Sequence, residues 1–195
     1  MREAVDALIG LGSSLGDRAA ALSLAVRLLD ADPETDVVST STTWRNQPMG
    51  AARGWFLNGA VCVRTQHSAR GLLDLCQGIE AKIGRRRTQV WGDRSIDIDL
   101  LLYGRSIRRG RDLRLPHPGM LDRTFVMAPA AEIAPNMVHP IVGRTLYSLV
   151  ETEPRGLIPA GRLPGTLADE SDARYTDRAG RTRNFQGKTA MKIFI

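Results

Sequence analysis

Residues 95–104, SIDIDLLLYG, constrain the fold more than any other stretch of the chain. The run is short and aliphatic and lies between Gly92 and Gly104, which reads as a strand. Side chains alternate across a strand, so Asp97, Asp99 and Leu101 share one face. Ile96, Ile98, Leu100 and Leu102 share the other. One face must meet a core, while the other presents two carboxylates roughly 6–7 Å apart. At an effective dielectric of about 20, their repulsion costs on the order of 2–3 kcal/mol. Something beside this strand has to offset that cost.

The flanking segments supply the rest of a sheet. VDALIGLGSSLGDR reads as a strand to about Leu11, a Gly/Ser turn, and a helix starting at Asp17. In that helix Ala21, Leu24, Leu28 and Leu29 recur at helical spacing, and Pro33 closes it. Residues 36–45 are β-branched, 46–54 form a Pro/Gly loop, and 55–65 are again strand-like, pairing antiparallel with the strand before. A second helix covers 68–84, with Leu72, Leu75, Cys76 and Ile79 inward and Gly84 as its stop. After the aspartate strand come an Arg-rich hairpin at 105–114 and a third helix over Leu121–Ala134, interrupted at Pro129. The order β-α-β-β-α-β is that of a ferredoxin-like α+β sandwich, a mainly antiparallel sheet with helices on one face. Residues 1–150 read as one domain. The Gly/Pro/Arg-rich stretch 151–195 lacks an apolar period and reads as a partly disordered tail.

Charge narrows the partners. With 24 Arg and 3 Lys the net charge is +6, which favours anions: nucleic acid, acidic membrane surface, or phosphorylated small molecules. Arginine suits bidentate phosphate recognition. Cys62 and Cys76 form neither a metal-like pair nor a disulfide framework. The N-terminus lacks the features of a signal peptide, and no apolar run is long enough to span a bilayer. Known phosphate loops fail on spacing. In GLGSSLG the third glycine position is Leu15, and in GRTRNFQGKT six residues separate the glycines where a P-loop has four.

The acids and arginines converge instead. Arg94 lies three residues before Asp97, and Arg85, Arg86 and Arg87 lie just upstream. Carboxylates that hold Mg²⁺, with Arg forks that neutralise phosphate charge, are what a polyphosphate site needs. Glu80 is a further acid in reach of this set, or else a solvated or paired helix residue. His117 is held between Pro116 and Pro118 and followed by Arg123 and Phe125, a fixed loop suited to a nucleotide. His67 and His139 have no such company. Trp44, Trp55 and Phe56 surround Asn58; most are core, but one exposed aromatic beside an Asn suits a flat heterocycle.

Four blocks, IGLGSSLGDR, FLNGAV, WGDRSIDIDLLLYG and LPHPGMLDRTFVMAPAAEIAP, resemble 6-hydroxymethyl-7,8-dihydropterin pyrophosphokinase, an enzyme of folate biosynthesis. The resemblance implies transfer of pyrophosphate from ATP to the pterin hydroxymethyl group, with release of AMP and the help of two Mg²⁺. Asp97 and Asp99 match metal ligands, and the ions would offset the repulsion between them. Arg94 and Arg85 match arginines that assist the transfer. Gln77, Glu80, Trp91, Leu100, His117 and Arg123 fall where the family lines its ATP site. The pterin would lie between Phe56 and Phe125, its edge read by Asn58 and by Asn46 and Met49 of the 46–49 loop.

Four departures accompany the match. Asp93 stands where the family usually has proline, placing a negative charge beside Arg94. RRRTQVW is one residue shorter than in some relatives, and NQPMG replaces a common TPP run. Ser14 takes the place of a frequent Asn and reads as a turn residue. We expect a cytoplasmic monomer acting on small molecules, with neither nucleic acid nor a membrane as partner. A polymerase-β-like nucleotidyltransferase would need Gly-Ser and D-x-D on one hairpin, whereas Gly12-Ser13 and Asp97 are more than eighty residues apart. A basic RNA-binding domain, built on the 105–114 arginines and the tail, would leave the aspartate pair unexplained.

Overall fold

The computed structural model describes residues 2–47, 54–85, 93–150 and 156–163, with the backbone of 174–176 and 182–184. Three strands form its centre: β1 (Val5–Ser13), β4 (Phe56–Thr65) and β5 (Asp97–Tyr103). β1 lies between the other two and pairs antiparallel with both, matching Val5 to Thr65 and Ser13 to Leu57 along β4. β2 (Thr35–Thr40) and β3 (Thr42–Asn46) both pair antiparallel with β4. The β-branched run at 36–45 is therefore two strands on one neighbour, joined at Ser41, whose buried hydroxyl accepts from Ala60 N–H at 2.8 Å.

Two helices cover one face of the sheet. α1 (Arg18–Asp30) starts at Asp17, whose carboxylate accepts from Ala20 N–H at 2.9 Å. α2 (Ala69–Ile83) is capped by Ser68 and ends at Gly84, whose φ of 90° is open to glycine at little cost. Leu22, Ala25, Val26 and Leu29 of α1 and Leu72, Cys76 and Ile79 of α2 pack on Ala7, Ile9, Val61, Val63, Ile98 and Leu100. Leu75 is only half-buried.

The opposite face is covered too, by α3 (Thr124–Ile133). There Met127, Ala130 and Ala131 pack on Leu8, Ala60, Leu101 and Leu102. Helices on one face describe only the β-α-β-β-α-β unit. The apolar second face of that sheet requires the later helix. Pro129 does not interrupt α3, which runs through it with Pro129 buried, although proline has no N–H to give a preceding carbonyl.

Two expectations change in detail. The β1–β5 register shifts between Leu8, opposite Leu102, and Ile9, opposite Leu100, so Leu101 is an extra residue in β5. The bulge turns Leu102 onto the α3 face beside Leu101, away from Ile98 and Leu100. Asp97 and Asp99 precede the bulge and keep their common face. The second change concerns the stretch read as a tail. Within it β8 (Ile158–Arg162) pairs antiparallel with β3, and Leu163 is buried on the α1/α2 face against Gly59. The Arg-rich piece is a hairpin as expected, β6 (Arg108–Arg109) with β7 (Arg114–Leu115). A short helix, α4 (Leu146–Leu149), and a separate pair, β9 (Arg174–Thr176) with β10 (Thr182–Asn184), complete the described elements.

Candidate active site

The aspartate strand enters the sheet beside a β1 segment that has no side chain on the α3 face. Beyond Leu8, which packs against α3, the next two residues on that face are Gly10 and Gly12. A Cβ on Gly12 would lie 3.2 Å from Asn58 Oδ1, and one on Gly10 would lie 3.3 Å from Leu101 Cδ1. The missing side chains leave a cleft between the sheet and α3. Its lining includes Asp97, Asp99, Arg94 and Arg123 together with Asn46, Phe56, Asn58 and Phe125. The sequence scattered these eight residues over some eighty positions; antiparallel pairing of β1, β3, β4 and β5 gathers those on or beside the strands, and the packing of α3 on the sheet adds Arg123 and Phe125.

The charged side is a network. Arg85 Nη1 reaches Asp97 Oδ1 at 2.7 Å and also pairs with Glu80, while Arg94 pairs with the other oxygen of Asp97. Glu80 is buried, and its carboxylate accepts from Ile98 N–H at 2.8 Å. That acid thus fixes Arg85 and the start of β5 together. Burial pushes its carboxyl above the usual range, opposed by the Ile98 N–H and by Arg85. Asp99 is raised as well, by burial first and then by the charge of Asp97, with His117, Arg123 and Arg85 acting the other way. Protein cations therefore answer Asp97 more fully than Asp99. Cys76, behind this group in the core, has its thiol pushed up to about 12 by burial and by Glu80 and Asp99, which keeps it neutral.

The neutral side is organised by amides. Asn58 Nδ2 donates to Asn46 Oδ1, and Asn46 Nδ2 donates to Gln47 O at 2.9 Å. Both asparagines are buried, and Phe56 and Phe125 are half-buried. Trp44 is core, but Phe56 is half-buried and Trp55 exposed, so the expectation that most of these three aromatics are core does not hold. Trp55 lies outside with the Arg45 guanidinium 5.3 Å from its ring.

Residues 8–135 match the family model described as 7,8-dihydro-6-hydroxymethylpterin-pyrophosphokinase (HPPK). The chain belongs to the HPPK family. The 2-amino-4-hydroxy-6-hydroxymethyldihydropteridine pyrophosphokinase of Methylorubrum extorquens is 44% identical over 153 residues, 77% of this chain and 96% of that protein. The enzyme of the same name from Synechocystis is 36% identical over 169 residues, 84% of this chain and 86% of that protein. Among solved structures, wild-type HPPK-DHPS of Plasmodium falciparum superposes with a TM-score of 0.61 at 13% identity. The match covers 76% of this chain and 44% of that one, and it speaks for a shared HPPK fold.

Some residues singled out from the sequence stand apart from the cleft. Leu100 turns its side chain into the α1/α2 core, opposite Asp99, and Gln77 is exposed on α2. His117 is half-buried at the cleft's edge: its N–H donates to Leu101 O at 2.9 Å, and its Nδ1 accepts from Gly119 N–H at 3.3 Å. Met49 and Trp91 lie outside the described residues, as do Arg86 and Arg87.

Others had a role that sequence reading missed. Gly10 and Gly12, tested as a phosphate loop, are the cleft floor; the available signal was glycine at every second position of a strand. Ser14, read as a turn residue, is buried and holds the backbone of Arg94. Its Oγ accepts from Arg94 N–H at 3.0 Å, and its N–H donates to Arg94 O at 2.9 Å. Ser13 Oγ donates to Ser95 O at 2.7 Å. Asp93 Oδ1 accepts from Gly54 N–H at 3.4 Å.

Proposed function

We propose that this chain transfers the β,γ-pyrophosphoryl group of ATP to 6-hydroxymethyl-7,8-dihydropterin, in the cytoplasm, in the service of folate synthesis. The pterin hydroxymethyl oxygen bonds to the β-phosphorus, and the bond from that phosphorus to the α,β-bridging oxygen breaks. AMP leaves, and the hydroxyl proton passes to solvent. The observation that carries the reading is one cleft with two chemistries: Asp97, Asp99, Arg94 and Arg123 on its charged side, Phe56, Asn58, Asn46 and Phe125 on its neutral side.

The donor set fits magnesium. Two hard carboxylates share a strand face, and Asp99 is raised by burial and then by its neighbour's charge. Mg²⁺ is held through one or two carboxylates plus phosphate oxygens. We assign two Mg²⁺ to Asp97 and Asp99, where, when bound, they supply charge neutralisation of the polyphosphate. Arg94 and Arg85 hold the transferring phosphates as forked donors, Arg85 steadied by Glu80 and Arg94 by Ser14. On the ATP side Arg123 lines the cleft and His117 stands at its edge, and the family resemblance alone adds Gln77, Trp91 and Leu100. Phe56 and Phe125 sandwich the pterin ring, and the already paired Asn46 and Asn58, with Met49, read its edge. Stacking plus fixed amides aligns the hydroxymethyl group, and alignment with electrostatics supplies most of such a barrier reduction. Residues 1–150 form the catalytic domain, acting as a monomer, with the Ile158–Arg162 strand added at its edge.

The test is AMP release from ATP and Mg²⁺, with and without the pterin, beside an Asp97→Ala/Asp99→Ala variant. Pterin-dependent AMP that disappears in the variant is the expected result. AMP release indifferent to the pterin, or retained by a folded variant, overturns the assignment.

A further inference from the structure

The arginine hairpin has no part in the reaction above. It begins at Arg105, beyond the far end of β5, about 20 Å along that strand from Asp97. Arg105, Arg108, Arg109, Arg111 and Arg114 are all exposed, and none forms an ion pair among the described residues. The register sets Arg109 directly opposite Arg114, with Arg108 opposite Leu115. Directly opposed side chains have Cβ atoms about 5 Å apart, and like charges there repel. Asp112 is the one acid in the ten residues.

The hairpin is one wall of a groove whose other wall is Ser68–Arg70 at the start of α2. Arg70 is already paired with Asp74, so the charge open to a ligand comes from the hairpin. Ile107 lies in the same groove with 47% of its surface exposed, beside a partly buried Leu113. We propose that this groove docks an acidic segment of a partner protein, laid along the hairpin with carboxylates on Arg109, which lines the groove, and on Arg114, directly opposite Arg109 in the hairpin, and an aliphatic side chain on Ile107. Three features favour a peptide over other anions. Residues 104–115 and 68–71 contain no aromatic ring on which a nucleic-acid base would stack. An exposed isoleucine in a groove lined by Arg108, Arg109 and Arg111 pairs an apolar centre with a charged rim, as a protein interface does. The surface is concave, which suits a chain better than a flat bilayer. Docking here leaves the cleft at the other end of β5 open, so the partner and the substrates do not compete.

The experiment uses the full chain and fluorescence anisotropy. The probes are a labelled oligoglutamate with one central leucine, the same peptide with serine in place of leucine, and a labelled RNA of equal length. Expected is salt-sensitive binding of the leucine peptide, weaker binding of the serine peptide, and a loss of about tenfold or more in an Arg109→Ser/Arg114→Ser variant. Pyrophosphoryl transfer stays unchanged in that variant, which also shows that it is folded. Arg109→Lys/Arg114→Lys restores binding in part, since charge returns without the forked geometry. The proposal fails if the serine double variant binds as the parent does, if the leucine peptide does not bind, or if RNA binds more tightly than either peptide.

Discussion

At its two ends β5 leads to two pairs of like charges, and the molecule treats them differently. Asp97 and Asp99 are half-buried, in a network where Arg85 and Arg94 bind Asp97 and Glu80 anchors Arg85. Arg109 and Arg114 are exposed, directly opposed across a short hairpin, with no acid in ion-pair reach among the described residues. The difference follows from dielectric. Buried repulsion is weakly screened, so the fold must answer it from within or be destabilised. Exposed repulsion is screened over about a Debye length, so a chain can leave it to solvent and to whatever binds. One pair is a built site; the other is a surface waiting on a partner.

The comparison breaks first at the acids. Asp97→Ala/Asp99→Ala should lower pterin-dependent AMP release about a thousandfold or more while the protein stays folded; a loss of only a few-fold would make the acids no more functional than the arginines. Asp99→Asn should also abolish turnover yet raise the melting temperature without Mg²⁺, because it removes the charge that burial and Asp97 both oppose. A fall in melting temperature would mean that the strand tolerates the pair unaided.

Ser14→Ala tests how far the built site extends. It removes the acceptor for Arg94 N–H, and we expect kcat to fall about 10–100-fold with little change in the KM for pterin. Combined with Arg94→Ala it should add nearly nothing, since both changes act through one guanidinium. Additive losses would separate Ser14 from Arg94. At the other end of β5, Arg109→Ser/Arg114→Ser should leave turnover unchanged and shift stability by less than about 1 kcal/mol.

The smallest effect concerns His139, a buried imidazole outside both regions. Burial holds its pKa below 6.5, and its Nδ1 accepts from Val142 N–H at 3.3 Å. Well above pH 6.5 the ring is neutral in folded and unfolded chains alike, so it adds no pH dependence there. Below that value the unfolded chain takes up the proton first, and stability falls until the lowered folded value is passed. Thermal melts at about pH 7.5 and 5.5 should show a shallower acid loss in His139→Gln than in the parent. An equal loss in both would place the acid sensitivity at the carboxylates.

Much of this was legible in the chain. Period-two and helical patterns gave β1, α1, α2 and β5 nearly to their ends, because caps such as Asp17, Ser68 and Gly84 act within a few residues. The Asp97/Asp99 face was legible for the same reason: alternation needs no tertiary contact. The bulge at Leu101 was not, since it is a relation between β1 and β5. Neither was the return of Ile158–Arg162 to the sheet. Its strand is exposed along its length and gains its place from the open edge of β3, not from an apolar pattern of its own.

By itself the sequence determined the local periods, the helix ends, the alternating aspartates and the block order that places the chain in its family. Each of these rests on interactions that reach only a few residues along the chain. The tertiary structure decided which face α3 covers, that two glycines make the floor of a cleft, and that Ser14 aims Arg94 from eighty residues away. Those are pairings between distant segments. They exist only after the sheet closes, when hydrogen bonds and close packing fix which side chains can meet.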